Sequence, residues 1–489
     1  MDAMMTDRGG AKGARRLLCF YGDDFTGSTD VLEALYRGGF RTVLFLEPPT
    51  PELLEEGRFR DVECFGVAGV GRSLTPEEME RELPPVFRTL RSANAAVVHY
   101  KVCSTFDSSP RVGSIGKAAE LGRGTFGGGR FVPVVAGVPY LGRYTVFGNH
   151  FAAADGAVHR LDRHPTMSRH PVTPMAEADL RRHLALQTEL RIGLVDVLDQ
   201  SGSAESVRAR LEALLARDKP ELVLFDVLDD ERLRKVGRLI WEEASRVGDG
   251  DSLFAIGSSG IEYALAEAMA ESAGHSGRAA AGGDAGAVGA GDAAPTDRLL
   301  VVSGSCSPAT ERQIARALEA GYVGLRVPAG ELAHPGLRDA AVRRLRAEAA
   351  AALDAGRSVL LYSALGPGDE AIAAARAELA ALGLRAEDSS RVLGSALGAL
   401  ARELVAAAGL TRLLIAGGDT SGYVARELGV YALECKAALT PGAPLCAAYS
   451  ADPVFDGLEL VLKGGQIGGP DFFEEVRLGK SVGSSGVQV

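Results

Sequence analysis

Acidic, hydroxyl-bearing and glycine residues crowd into one short run near the start, YGDDFTGSTD at residues 21–30. The run follows an apolar stretch with strand character and leads into the helical pattern VLEALYRGG. That puts its polar residues at the carboxyl end of a strand, where open α/β sheets bind ligands. Asp23 and Asp24 could orient a polyol by accepting its hydroxyl protons, and Thr26, Ser28 and Thr29 add small hydrogen-bonding groups. A helix cap at Ser28 or Thr29, with the aspartates as first-turn dipole partners, accounts for part of the segment. Two adjacent aspartates with Gly22 and Gly27 exceed what a cap requires, and the run reads as a ligand site.

Other polar clusters follow later apolar runs. In GVGRS, residues 69–73, Arg72 could clamp a carboxylate through a planar bidentate contact, with Ser73 beside it. A surface arginine next to a helix cap is the plainer alternative. In YKVCSTFDSSP, residues 100–110, Lys101 could hold a substrate anion or a transferred phosphoryl group, and Asp107 could accept a hydroxyl proton. Ser104, Thr105 and Ser108 add hydroxyls there. Cys103 has no histidine motif near it and reads as a packing residue, not a nucleophile. Residues 159–174, HRLDRHPTMSRHPVTP, hold three of the eight histidines. Their spacing, broken by prolines, cannot put the imidazoles on one helical face, so an ordered loop over a cleft is predicted and no metal site.

Toward the other end, IAGGDTSGY (residues 415–423) passes from a strand through glycines into a helix. Gly417, Gly418, Asp419, Thr420 and Ser421 thereby offer the close backbone approach and the helix N-terminus that suit a phosphate. The turn is neither a Walker A loop nor a full dinucleotide fingerprint. Three more turns follow strands: VVSGSCSP (301–308) with Ser303 and Ser305, LKGGQIGGP (462–470) with Lys463, Gly464 and Gly465, and IGSSG (256–260) with Ser258, Ser259 and Gly260. Four such turns together predict a nucleotide cradle.

These turns need parallel strands to carry them, and the patterning supplies them. Apolar runs fall at 17–21, 42–46, 62–68, 95–101, 132–135, 192–197, 222–226 and 253–256, then at 299–303, 323–327, 359–362, 413–416, 433–437 and 458–462. Amphipathic segments such as 76–91, 176–190 and 203–215 lie between them, as in βαβ units. A Gly/Ala/Asp-rich stretch at 273–297 reads as a flexible linker. The expectation is two α/β domains with mainly parallel sheets and a ligand cleft between them, over residues 15–272 and 298–480.

The bulk properties narrow the function. A chain of 489 residues exceeds one ordinary core. A net charge of −11 leaves no basic footprint for nucleic acid. No apolar run approaches a membrane span, and the six scattered cysteines form no C-x-x-C pair. A cytoplasmic enzyme fits, with domains large enough to support a homodimer.

In their order, DDFTGSTD, the Arg-Ser after the third strand, K-x-x-S-T, GSSG, GSCSPAT, GGDTSG and LKGGQIGGPDFF resemble the four-carbon acid sugar kinases, from about Leu17 to Leu478. The resemblance implies a sugar-acid-binding first domain, a nucleotide-binding second domain, and ATP-dependent phosphorylation of a terminal hydroxyl of threonate, erythronate or their 3-oxo forms. It implies substrate contacts at Asp24, Arg72 and Lys101, and ATP contacts at Ser258, Ser259, Gly394, Gly417, Gly418 and Asp419. The commoner family pattern K-I-D-S-T-L-R-G becomes K-V-C-S-T-F-D-S here, with Cys103 in place of an aspartate and Asp107 in place of an arginine. That variant is similar to a branch acting on branched sugar acids, such as 3-oxo-isoapionate kinases. The mechanism expected is a sugar acid held on Arg72 or Lys101, its hydroxyl deprotonated by Asp24 or Asp107, with Mg²⁺ between the phosphates of ATP. A nucleotide-gated sugar-acid sensor is the alternative from another class.

Overall fold

The computed structural model describes residues 15–55, 57–154, 156–170, 172–274, 293–384 and 386–481, without the side chains of 386–390 and 419. Most of the expected linker, residues 275–292, lies outside the described residues. In the first half the strands are β1 (Arg16–Gly22), β2 (Thr42–Phe45), β3 (Cys64–Ala68), β4 (Ala95–Lys101), β5 (Val132–Val135), β6 (Arg143–Val146), β7 (Asn149–Ala154), β8 (Ala157–Arg160), β9 (Ile192–Val195), β10 (Leu222–Phe225) and β11 (Leu253–Gly257). In the second they are β12 (Leu300–Ser303), β13 (Val323–Arg326), β14 (Val359–Tyr362), β15 (Arg412–Ala416), β16 (Val430–Thr440), β17 (Ala443–Ser450) and β18 (Glu459–Lys463). Helices fill most of the connections. Among the described residues no helix is long and apolar enough to cross a membrane.

The two α/β halves expected from the sequence are present, and their mainly parallel strands join in one large sheet. Fifteen strands run in the order β13-β14-β12-β15-β18-β17-β16-β2-β3-β1-β4-β11-β5-β10-β9. Eight first-half strands pair in parallel, and so do β13, β14, β12, β15 and β18. The join is antiparallel. The β16–β17 hairpin sets Ala432, Leu433 and Glu434 against Phe45, Leu44 and Val43 of β2. The run 433–437, expected as a parallel strand, is therefore part of that hairpin, because the short Gly442 turn returns the chain antiparallel where a parallel partner needs a long crossover.

The parallel strands are legible because they are buried on both faces: β3 and β4 have no exposed residue, and their sequences read as apolar runs. The order of strands makes two switch points. β1 lies between β3 and β4, and β12 between β14 and β15, so a crevice opens beyond the carboxyl end of each. The antiparallel join starts those ends on opposite edges of the sheet. Twist of the usual size, about 20–25° per step, accumulates to about 120–150° over the six steps from β1 to β15, enough to bring them round to each other.

Two local expectations fail. Of the helix expected over 176–190, only Leu180–Ala185 forms. Residues before it are held extended, with the Ala178 carbonyl accepting from the His150 N–H at 2.8 Å and Asp179 bridging to Asn149. The small antiparallel sheet β6-β7-β8 was not foreseen, and it takes in the start of the histidine-rich stretch.

Candidate functional site

Asp24 caps the helix Phe25–Arg37. Its Oδ1 accepts from the Gly27 N–H at 2.9 Å and its Oδ2 from Thr26 Oγ1 at 3.1 Å. Ser28 and Thr29 are not the cap. Their hydroxyls turn back onto the carbonyls of Asp24 and Thr26, as happens inside a first turn once the aspartate ahead of it has satisfied the open N–H. Arg72, beyond β3, closes on both aspartates, with Nη2 at 2.8 Å from Asp23 Oδ1 and 3.1 Å from Asp24 Oδ1. Burial pushes Asp23 up to about 6 against the pull of Arg72. Burial also opposes the charge on Asp24, but Arg72, Lys101 and the hydrogen bonds of the cap hold it below the usual carboxylate range. That edge of Arg72 is thus engaged by the protein itself.

Lys101 ends β4 and is buried, its Nζ 3.6 Å from Asp30 Oδ2. A Cβ on Gly27 would come within 3.0 Å of that nitrogen, so the glycine lets the turn close over it. Burial works against the ammonium, and Asp30 with Asp24 outweighs it, holding the lysine above its ordinary range. The segment after it folds tightly, with Phe106 buried at φ 59° in the left-handed region that large residues avoid. Thr105 Oγ1 donates to Asp107 Oδ1 at 2.6 Å, and Asp107 Oδ2 makes no hydrogen bond among the described residues. The Ser104 carbonyl meets His150, and Ser108 Oγ meets His183 Nε2. Burial pushes the Cys103 thiol up, as in a packing residue and not a nucleophile. Ser73 binds the Val70 carbonyl within its own turn.

The GSSG turn lies beside Lys101, since Gly257 pairs with Lys101 in register. Ser258 Oγ donates to the Ala136 carbonyl, a Cβ on Gly260 would lie 2.1 Å from the Gly137 carbonyl, and the buried Ser259 hydroxyl has no partner among the described residues.

In the second half, the turns after β12, β15 and β18 converge. Lys463 Nζ is buried and donates to Thr310 Oγ1 at 2.9 Å, and Ser305 Oγ is 2.9 Å from the same oxygen. Ser307 and Thr310 both bind the Gly465 carbonyl. Gly417, at φ 124°, opens the helix Gly418–Glu427, and a Cβ on Gly304 would sit 2.1 Å from Thr420 Oγ1. Ser303 Oγ is buried without a partner among the described residues, and Ser421 Oγ caps back onto the Gly417 carbonyl. The side chain of Asp419 lies outside the described residues. Gly394 stands apart from these turns, in the helix Ala386–Ala408, where a Cβ would press on Tyr423 at 2.8 Å; its visible role is helix packing. Thr310, three residues into its helix, escaped the sequence reading although the serine-rich turn before it signalled the place.

The two groups of turns meet at Thr26. A Cβ on Gly418 would lie 3.4 Å from its Oγ1, and one on Gly464 3.7 Å from its Cγ2. Lys463 and the hydroxyls around it thus sit across Thr26 from Asp24, Asp30 and Lys101.

Comparison with known proteins divides the chain in the same way. Residues 18–265 match the family described as a sugar-binding N-terminal domain, and residues 300–473 that described as a nucleotide-binding C-terminal domain. A 3-oxo-isoapionate kinase of Paraburkholderia graminis is 47% identical over 96% of this chain and 95% of its own. Two 3-oxo-tetronate kinases are more distant. That of Methylobacterium radiotolerans is 35% identical over 92% of this chain and 96% of its own, and that of Cupriavidus necator 32% over 94% and 96%. A solved structure of a Haemophilus influenzae protein shares the fold at TM-score 0.68 and 24% identity, covering 93% of this chain and 98% of that one.

Proposed function

The chain belongs to the four-carbon acid sugar kinases, and from that premise we propose that it transfers the terminal phosphoryl group of ATP to a hydroxyl of a branched 3-oxo sugar acid of the 3-oxo-isoapionate type. It is an ATP-dependent sugar-acid kinase. The observation that carries the two-site reading is Thr26, which brings the acceptor turn against Gly418 and Gly464 of the nucleotide half. The substrate follows the 47% identity to the Paraburkholderia enzyme, well above the values for the tetronate kinases.

The residues of the second half fit a nucleotide. Lys463 is a buried cation with hydroxyls but no carboxylate within ion-pair distance among the described residues, so a phosphate oxygen completes it. Bound there, ATP would supply the phosphoryl group and Mg²⁺ would neutralise its charge. A Mg²⁺ that rides on phosphates asks one or two carboxylates of the protein, and Asp30, beside Lys101, would be one to meet it. In the first half, Lys101 stabilises the phosphoryl group in flight. Asp24 orients the attacking hydroxyl and accepts its proton. A carboxylate of low pKa is adequate here, because a loose transition state needs position more than a strong base. Asp107 holds a second hydroxyl of the acid through its Oδ2.

The test is ADP release with ATP and Mg²⁺ over a panel of tetronates, 3-oxo-tetronates and branched 3-oxo acids. Turnover is expected to be fastest with the branched acids. Equal or better turnover on linear tetronates would overturn the substrate, and release with none of the panel would overturn the reaction.

A further inference from the structure

The hairpin of β6 and β7 is fastened to the segment after Lys101. His150 Nε2 lies 2.8 Å from the Ser104 carbonyl, which can only accept, so this nitrogen carries the proton and Nδ1 accepts from Thr145 Oγ1 at 2.9 Å. Burial pushes the imidazole down to about 4, so the ring is neutral and the tie does not titrate near pH 7. Thr145 in turn exchanges both backbone hydrogen bonds with Val227, giving the hairpin a second anchor.

Arg143 stands at the head of this hairpin. Its Nη1 is fixed by the carbonyls of Leu141, Gly142 and Ala153 at 2.9, 3.3 and 3.3 Å. Its Nε is buried and makes no hydrogen bond among the described residues. Cys103, Asp107 and Tyr144 lie close enough for their charges to act on it, none of them within ion-pair distance. Arg72 and Lys101 are each paired with aspartates, whereas among the described residues no carboxylate pairs with Arg143. A guanidinium held rigid by three carbonyls, with an unpartnered N–H edge and no carboxylate partner among the described residues, is incomplete in the way an anion site is incomplete.

Resting on the sugar-acid kinase reading, we propose that Arg143 binds the carboxylate of the sugar acid through its unpartnered edge, on the side of the segment after Lys101. The assignment explains the division of charge at this end. Arg72 shapes the two-aspartate turn and Lys101 serves the phosphoryl group, which leaves the substrate's own negative charge to the third cation. It also fixes polarity: the carboxylate lies toward the hairpin and the reacting hydroxyl toward Thr26.

The experiment is calorimetric binding to the full chain, without nucleotide, of threonate, erythronate and a branched aldonate, each beside its primary amide. The unaltered protein should bind each acid about a hundredfold more tightly than its amide, the usual cost of leaving one partner of a buried charged pair alone. Arg143→Gln should abolish that preference by weakening the acid and leaving the amide unchanged, and Arg143→Lys, which keeps charge but not the planar fork, should fall between. An unchanged acid-to-amide ratio in either variant, or equal weakening of acid and amide in Arg143→Gln, would overturn the assignment. Because binding is read without catalysis, acids that bind as described but yield no ADP with the unaltered protein would sink the kinase reading and leave Arg143 standing.

Discussion

Lys463 shows how much one side chain can reveal. Buried with only hydroxyl and carbonyl neighbours, its ammonium is pushed down to about 7. A phosphate oxygen beside it would restore the proton. Nucleotide binding should therefore take up a proton above pH 7 and weaken as pH rises, and calorimetry in buffers of different ionisation enthalpy checks both. Lys463→Met should lose the proton uptake and bind nucleotide about ten- to a hundredfold more weakly. The sign for stability is separate. The unfolded lysine keeps its proton up to about 10.5, so the unfolded chain holds the extra proton between about 7 and there, and this residue makes stability rise with pH across that window. Asp24 and Asp107 can be separated in the same way. Asn caps a helix as well as Asp does, so Asp24→Asn should fold normally yet lose about 10²–10⁴ in kcat. Asp107→Asn should act mainly on the KM for the sugar acid. Equal kcat losses with unchanged KM would refute the division of roles. Asp24, Lys101 and Lys463 were legible because each closes a strand in a polar turn. Arg143 was not, since it lies in no motif and its meaning comes from the partner it lacks.

At the scale of elements, the small sheet is the part the sequence hid. Strands β6 to β8 are four to six residues of mixed polarity, with neither a long apolar run nor clean alternation. The hairpin turn is fixed from outside by Asp226 at the end of β10. Its carboxylate accepts the N–H of Phe147, of Gly148 at 2.9 Å and of Val197 at 3.2 Å. Burial outweighs those bonds and pushes Asp226 up to about 6. The folded pKa lies above the unfolded one, so this group's contribution is full below about pH 4 and is lost as pH rises through about 6. Asp226→Asn turns an amide N–H toward a backbone N–H and should cost about 1–3 kcal/mol. Its stability should no longer fall across that pH window. Hydrogen exchange should quicken first at residues 145–150, and uniform quickening across the first half would show that Asp226 holds more than the hairpin. Such a hairpin cannot be read from local patterning, because the groups that fix it, Val227, Asp226 and Ala178, are distant in sequence.

For the molecule as a whole, the joined sheet matters more than the two-domain count. The helix Phe25–Arg37 is shared: its Asp24 end carries the two-aspartate turn, while its far end packs on β16 and β17 of the nucleotide half. Tyr36 donates to the Lys436 carbonyl at 2.8 Å, and buried Glu33 accepts the Gly442 N–H at 2.6 Å while pairing with Arg37 at 2.8 Å. The position of Asp24 and Thr26 is thus tied to the nucleotide half through this seam. Replacing both Tyr36 by Phe and Glu33 by Gln removes one seam bond and weakens another, for about 1–2 kcal/mol of stability. Each half keeps its own ligand contacts, so the KM values for sugar acid and ATP should hold while kcat falls about two- to tenfold, because the turns no longer meet in register. Burial pushes Glu33 up to about 7, above its unfolded value near 4.5, so its contribution is lost as pH rises between the two. The double variant's stability should fall less steeply than the parent's across that window. If kcat were unchanged while stability fell as expected, the seam would be structural only, and the alignment of the two sites would have to come from Thr26 and the glycine turns it touches.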